Sequence, residues 1–164
     1  MNSFATLAAT LDYPLFVVTT TDGSERAGCL IGFGTQCSIH PPRFMAFLSD
    51  KNRTYEVAHR AELLVVHPLD EDQKELAELF GGETGDEVDK FAKVAWHPGP
   101  SGVPVLDDCP RWFVGRIRAR IPVGDHVGHL LDIVEADVDE DELDPDADEL
   151  TFQDARTIDP GHEP

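Results

Sequence analysis

The segment from Trp112 to Ile121 constrains the fold most, because it alternates in steps of two. Phe113, Ile117 and Ile121 fall on one side and Arg116, Arg118 and Arg120 on the other, the pattern of a strand with one covered and one open face. Pro122-Val123-Gly124-Asp125 then turns the chain into a partner strand, His126 to Ala136. Earlier runs supply more strands. Leu15 to Thr21 is rich in β-branched residues, Asp22-Gly23 marks a turn, and Ala27 to Phe33 completes a hairpin. Pro41-Pro42 stops any helix before a mostly buried strand at Arg43 to Leu48, and Leu63 to His67 is a further strand.

Short helices interrupt these strands at Ser3 to Leu11 and Thr54 to Ala61. A third starts where Asp70 can cap an N-terminus with Gln73 three residues on, and Leu76, Ala77, Leu79 and Phe80 form its apolar stripe before Gly81-Gly82. Gly85 to Gly102 is loop-rich, anchored by Val88, Phe91, Val94 and Trp96. Six or so strands with no regular βα alternation give a mainly β fold with short helices, a barrel and not a doubly wound sheet.

With 164 residues the chain fits one domain that can bury a core without staples. It has no run of eighteen apolar residues, and Met1 to Leu11 lacks a basic n-region and a cleavage site, so it is read as soluble, unexported and cytoplasmic. Cys29, Cys37 and Cys109 form no CxxC pair and are read as reduced thiols. The net charge of −19 opposes nucleic acid and anionic membrane as partners. That charge is uneven, since residues 135–164 hold thirteen acids against the single base Arg156. Residues 1–137 are therefore expected to form the domain and 138–164 an acidic, flexible tail, in which only Leu143, Leu150, Phe152 and Ile158 could dock.

Spacing excludes several chemistries. Gly32-Phe33-Gly34 lacks the third glycine of a nucleotide loop and no Lys-Ser/Thr follows it. His126 and His129, three apart on a strand, face opposite sides and cannot share a metal, and no nucleophile elbow appears.

Order along the chain carries more. The run from Gly28 to Pro42, GCLIGFGTQCSIHPP, resembles the signature of flavin-reductase-like, FMN-binding split barrels. Leu48 to Thr54 resembles that family's phosphate-contacting turn, Asp70 to Phe80 its EDQxxLAxxF helix, and Asp89-Lys90-Phe91 its D-(K/R)-F. Val103 to Leu106 resembles its x-P-x-L, and Gly124-Asp125-His126 the G-D-H that opens the last strand.

The resemblance implies a split β-barrel of Greek-key-like connectivity, working as a homodimer with a cofactor cleft shared between two subunits. It places Leu30, Ile31, Gly32 and Phe33 along the isoalloxazine edge and Ser49, Asp50, Lys51, Asn52, Arg53 and Thr54 around the ribityl phosphate. His126 would stand over the ring as the catalytic donor, and Phe91 would contact the cofactor, with core packing as the competing reading. Where relatives carry hydroxyls, this chain has Leu30, Gly32 and Phe33, so backbone groups would serve the ring's polar edge. The implied activity is NAD(P)H-dependent reduction of FMN, or of FAD, with the reduced flavin passing to a monooxygenase. The alternatives are an F420-dependent reductase of a small organic molecule and a non-catalytic flavin- or deazaflavin-binding protein.

Overall fold

The computed structural model describes residues 2–82 and 89–158; Val88, named above as a loop anchor, lies outside them. Among the described residues nine strands form: β1 (Phe16–Thr21), β2 (Arg26–Ile31), β3 (Gly34–Ser38), β4 (Arg43–Ser49), β5 (Leu63–Pro68), β6 (Trp96–Pro98), β7 (Pro104–Leu106), β8 (Arg111–Pro122) and β9 (His126–Val138). The α-helices of the described residues are α1 (Ser3–Ala8), α2 (Arg53–Ala58) and α3 (Lys74–Gly82). Among the described residues no helix is long and apolar enough to cross a membrane.

Seven strands make one antiparallel sheet in the order β2-β1-β5-β8-β9-β4-β3. β2 and β3 are its two edges, yet only Gly32 and Phe33 separate them in sequence. Two residues cannot span a flat seven-stranded sheet, because extended chain covers only about 3.5 Å per residue and neighbouring strands already lie roughly 4.8 Å apart. The sheet must curl until its edges meet, which gives a barrel left split along the β2–β3 seam. β5 returns past the β3–β4 hairpin to pair with β1, the crossed connectivity expected.

The curl encloses one core and leaves others outside. Phe16, Val18, Cys29, Ile31, Phe44, Ala46, Leu48, Leu64, Val66 and Leu131 fill the interior. Leu15 and Val17 point the other way and pack outside the barrel with Leu69, Leu76, Ala77, Phe80 and Phe91. β1 is thus covered on both faces, which is why it reads as a continuous apolar run and not as an alternation. The α3 stripe fills this outer layer, and its entry carries the expected capping box, with the Asp70 amide donating to Gln73 Oε1 at 2.8 Å.

Three local readings change. β3 had no sequence signal, since GTQCS is polar and mostly exposed, as suits a short edge strand. β8 does not alternate throughout: bulges between Val114 and Gly115 and between Ile117 and Ala119 shift its register, and Ile121 is left exposed. Of its arginines, Arg118 pairs with Asp132 at 3.1 Å and Arg120 donates to the carbonyls of Ala58 and Ala61, both at 2.8 Å, closing the end of α2.

Residues 139–158, the described part of the segment expected to be loose, run back over the outer layer. Leu150 is buried, and its backbone donates to Leu69 O and accepts from the Leu15 amide, each at 2.9 Å. The Phe152 amide donates to Tyr13 O at 2.8 Å, and Ala155 and Ile158 pack against the same layer.

Candidate functional site

A cavity of about 420 Å³ lies at the seam, within the range of roughly 300–1,000 Å³ typical of small-molecule sites. One wall is the end of β2 and the crossing after it: Leu30, Ile31, Gly32 and Phe33. Phe47 and Ser49 reach it from β4, Asn52 from the start of α2, and His126 from the start of β9. Leu15, Phe80 and Gly81 stand behind, and the C-terminal segment closes the far side with Phe152, Ala155, Arg156 and Ile158.

The crossing is held in place by backbone. The Phe47 amide donates to Phe33 O at 3.0 Å, so the chain is pinned to β4 before β3 begins. Gly32 brings no side chain into the wall formed by the end of β2 and the crossing. A Cβ there would come within 3.3 Å of Phe152 and 3.6 Å of Leu15, so any larger residue would intrude between the two walls. β2 is an edge strand, hence one row of its backbone groups faces the seam.

His126 stands opposite Ser49 in the β4–β9 register. Its ring meets Phe33 edge-on at 5.3 Å, and Phe33 meets Tyr13 at 5.8 Å. His126 Nδ1 lies 2.7 Å from Asp125 Oδ1, and this hydrogen bond holds the Asp125 carboxyl below the usual carboxylate range. Nε2 is left as the ring atom available to a ligand. A second, more open hollow of about 650 Å³ shares Phe33, Phe47 and His126 with the first, and adds Tyr13, Val123 and Asp125.

The structure therefore brings Leu30, Ile31, Gly32, Phe33, Ser49, Asn52 and His126 to one cavity. It does not bring the rest of the expected set there. Asp50 and Lys51 are exposed beside it, with the Asp50 amide donating to Asp125 O at 3.0 Å. Thr54 is buried beneath the turn, where its amide donates to Asn52 Oδ1 at 2.9 Å. Arg53 forks onto Glu25, with Nη2 at 2.5 and 2.6 Å from the two carboxylate oxygens, and also bonds Glu56. An anion turn and an ion-pair clamp use the same residue types, and sequence cannot separate them when one acid, Glu25, comes from the distant turn between β1 and β2. Phe91 packs in the outer layer between Phe80 and Trp96, with ring centroids 5.9 Å away on each side.

Two of the three cysteines are closed off. Burial pushes the Cys109 thiol up to about 12 and raises that of Cys29, so neither supplies a thiolate. His129 is buried on the side of β9 away from His126. Among the described residues no group of three or more His, Cys, Asp and Glu could hold a metal ion.

Sequence reasoning missed Phe47, Phe80 and the C-terminal wall. Phe47 carried a usable signal, being one alternation step from Ser49, and Phe152 and Ile158 were conspicuous apolar residues in an acidic stretch.

Residues 8–158 match the "Flavin reductase like domain" family. An FMN reductase (NADH) of Bradyrhizobium diazoefficiens is 33% identical over 110 residues, which cover 66% of this chain and 61% of that protein, so the match spans only part of the relative. Among solved structures, the NADH:FAD oxidoreductase of Streptomyces globisporus C-1027 superposes with a TM-score of 0.79 at 22% identity, covering 91% of this chain and 86% of that one. A nitrilotriacetate monooxygenase component B homologue from Mycobacterium thermoresistibile gives 0.80 at 20% identity, covering 92% and 80%. At those identities the superpositions speak to the fold, and the fold is the same. The match over residues 8–158, running from the first helix to the segment that closes the seam cavity, establishes that this chain belongs to the flavin reductase-like family.

Proposed function

We propose that the protein is an NADH-dependent flavin reductase that takes FMN, with FAD as the alternative, into the seam cavity. One observation carries this reading: the strand end that the family resemblance assigns to the flavin ring, Leu30 to Phe33, is a wall of the cavity, and Ser49 and His126 line the same space. The residues fit such a ligand. Leu15, Leu30, Phe33 and Phe47 would exclude water from a flat ring, and Gly32 leaves the room that a Cβ would occupy. The seam-facing backbone of β2 offers donors and acceptors in place of the missing hydroxyls.

When bound, a flavin supplies the hydride-accepting ring and NADH the hydride, so the protein's task is to orient the two and keep water out. His126, positioned by Asp125, offers Nε2 as a hydrogen-bond partner at the boundary of both hollows. That shared boundary supports a reductant site in the second hollow. Exposed Phe33, Ile121 and Val123 support a homodimer in which a second copy covers this side. A flavin-dependent monooxygenase is the proposed consumer of the reduced product, and the cytoplasm the proposed compartment for its three free cysteines. Steady-state oxidation of NADH with FMN, FAD, riboflavin or F420 as acceptor tests the reading. Turnover with FMN or FAD is expected, and turnover with F420 alone, or with no acceptor, would overturn it.

A further inference from the structure

We infer that Arg156, carried into the seam cavity by the C-terminal segment, is the anchor for the anionic phosphate of the bound ligand. This rests on the flavin reading above and adds to it a residue that lies outside the turn at 49–54.

Among the described residues, Arg156 is the only Arg or Lys that lines the cavity. The turn's own cations are placed elsewhere, with Arg53 clamped between Glu25 and Glu56 and Lys51 outside the lining. Arg156 is also the only Arg or Lys in residues 135–164, against thirteen acids. Its guanidinium donates to a backbone carbonyl, Ala9 O, at 3.0 Å, with the Asp12 carboxylate near enough to feel its charge. A guanidinium has five N–H donors and one carbonyl occupies few of them, so a fork remains for a phosphate.

Its backbone is fixed well enough to aim it. Leu150 is buried, the Gln153 amide donates to Asp12 Oδ1 at 3.0 Å, and the Gln153 side chain donates to Leu11 O at 3.0 Å. Ile158, two residues beyond, sits 3.6 Å from the Cβ position of Gly81. The need for such an anchor follows from charge. A protein of net charge −19 repels a phosphorylated ligand, and a guanidinium in the cavity wall offsets that repulsion where it matters. The phosphate can be the flavin's own or that of a nicotinamide dinucleotide, and the two make different predictions.

The test is equilibrium titration of FMN, riboflavin and NADH into the full-length wild type, Arg156→Gln and Arg156→Lys. Thermal unfolding of each variant serves as a fold control. Arg156→Gln should weaken FMN roughly ten- to a hundredfold while riboflavin changes less than about twofold, and Arg156→Lys should recover part of the loss. If NADH weakens in place of FMN, the anchor serves the dinucleotide and the phosphate assignment stands. Equal weakening of riboflavin and FMN would overturn it, showing that Arg156 only builds the wall, and so would no change with any ligand. A wild type that binds neither flavin would overturn the flavin reading itself, an outcome distinct from both.

Discussion

His67 links three strands at zero exposure: on β5, its Nδ1 lies 3.0 Å from Val17 O of β1, and its Nε2 lies 3.1 Å from the Leu106 amide of β7. An amide can only donate, so Nε2 accepts and Nδ1 carries the proton, which fixes the neutral tautomer. Burial lowers its pKa from 6.5 to about 4. Between those values the unfolded chain takes up a proton that the folded chain refuses. The His67 contribution to stability is therefore constant above about pH 6.5, falls as the pH drops through the window, and levels off below about pH 4. At about 1.4 kcal/mol per unit, the difference amounts to roughly 3 kcal/mol. His129, also lowered to about 4 by burial, adds a loss of the same sign. The lowered carboxyls of Asp125 and Asp132 lose their contribution only as the pH falls below the ordinary carboxylate range, so they leave the upper part of the window to the histidines. Urea unfolding at about pH 7, 6, 5 and 4 and constant ionic strength should give a falling midpoint with an unchanged m-value. His67→Gln should remove about half of that slope, whatever it costs in absolute stability. A variant that keeps the full wild-type slope would refute the assignment to His67.

Gly115→Ala should cost on the order of 1–3 kcal/mol in thermal unfolding, because its Cβ would lie 2.5 Å from that of Leu131 across the β8–β9 pair; an unchanged melting temperature would mean that this packing is loose. Leu150→Ala should lower stability by about 2–5 kcal/mol and speed proteolysis beyond Val138, since Leu150 is the buried residue that ties the C-terminal segment to Leu15 and Leu69. A wild-type unfolding curve for that variant would restore the sequence's picture of a dispensable tail. His126→Ala should reduce kcat/KM for flavin reduction at least roughly tenfold with little change in melting temperature, the ring being partly exposed on the boundary of both hollows; full activity would remove His126 from the site.

The barrel's strands were legible wherever burial writes itself into alternation or into continuous apolar runs, as in β1, β4, β5 and β9. β3 and the short β6–β7 pair were not, because an exposed polar edge strand and two three-residue strands leave no period to read. The strand predicted through Phe33 stops at Ile31, and Gly32-Phe33 becomes the crossing that joins the two edges of the sheet. Seven of the twelve residues expected at a site line one cavity by the same logic. Leu30 to Phe33, Ser49, Asn52 and His126 converge because the curl of the sheet brings the ends of β2, β4 and β9 to one seam. Arg53 and Phe91 did not follow, since their partners, Glu25 for one and Phe80 and Trp96 for the other, are fixed by tertiary contacts that local sequence does not encode. The acidic segment misled for a related reason. Average charge argues for a loose chain, but a buried Leu150 and a few backbone hydrogen bonds hold it against the outer layer.

If the flavin binds in the seam cavity, a side chain placed at Gly32 should block it. A leucine there would project between Phe152 and Leu15, whose side chains already lie 3.3 and 3.6 Å from the position of a Cβ. Flavin fluorescence quenching with wild type and Gly32→Leu, each checked for an unchanged melting temperature, reads the answer. Saturable quenching of FMN by the wild type is expected, with a loss of affinity of roughly tenfold or more in the variant. Equal affinity in the two proteins would place the flavin outside the seam cavity.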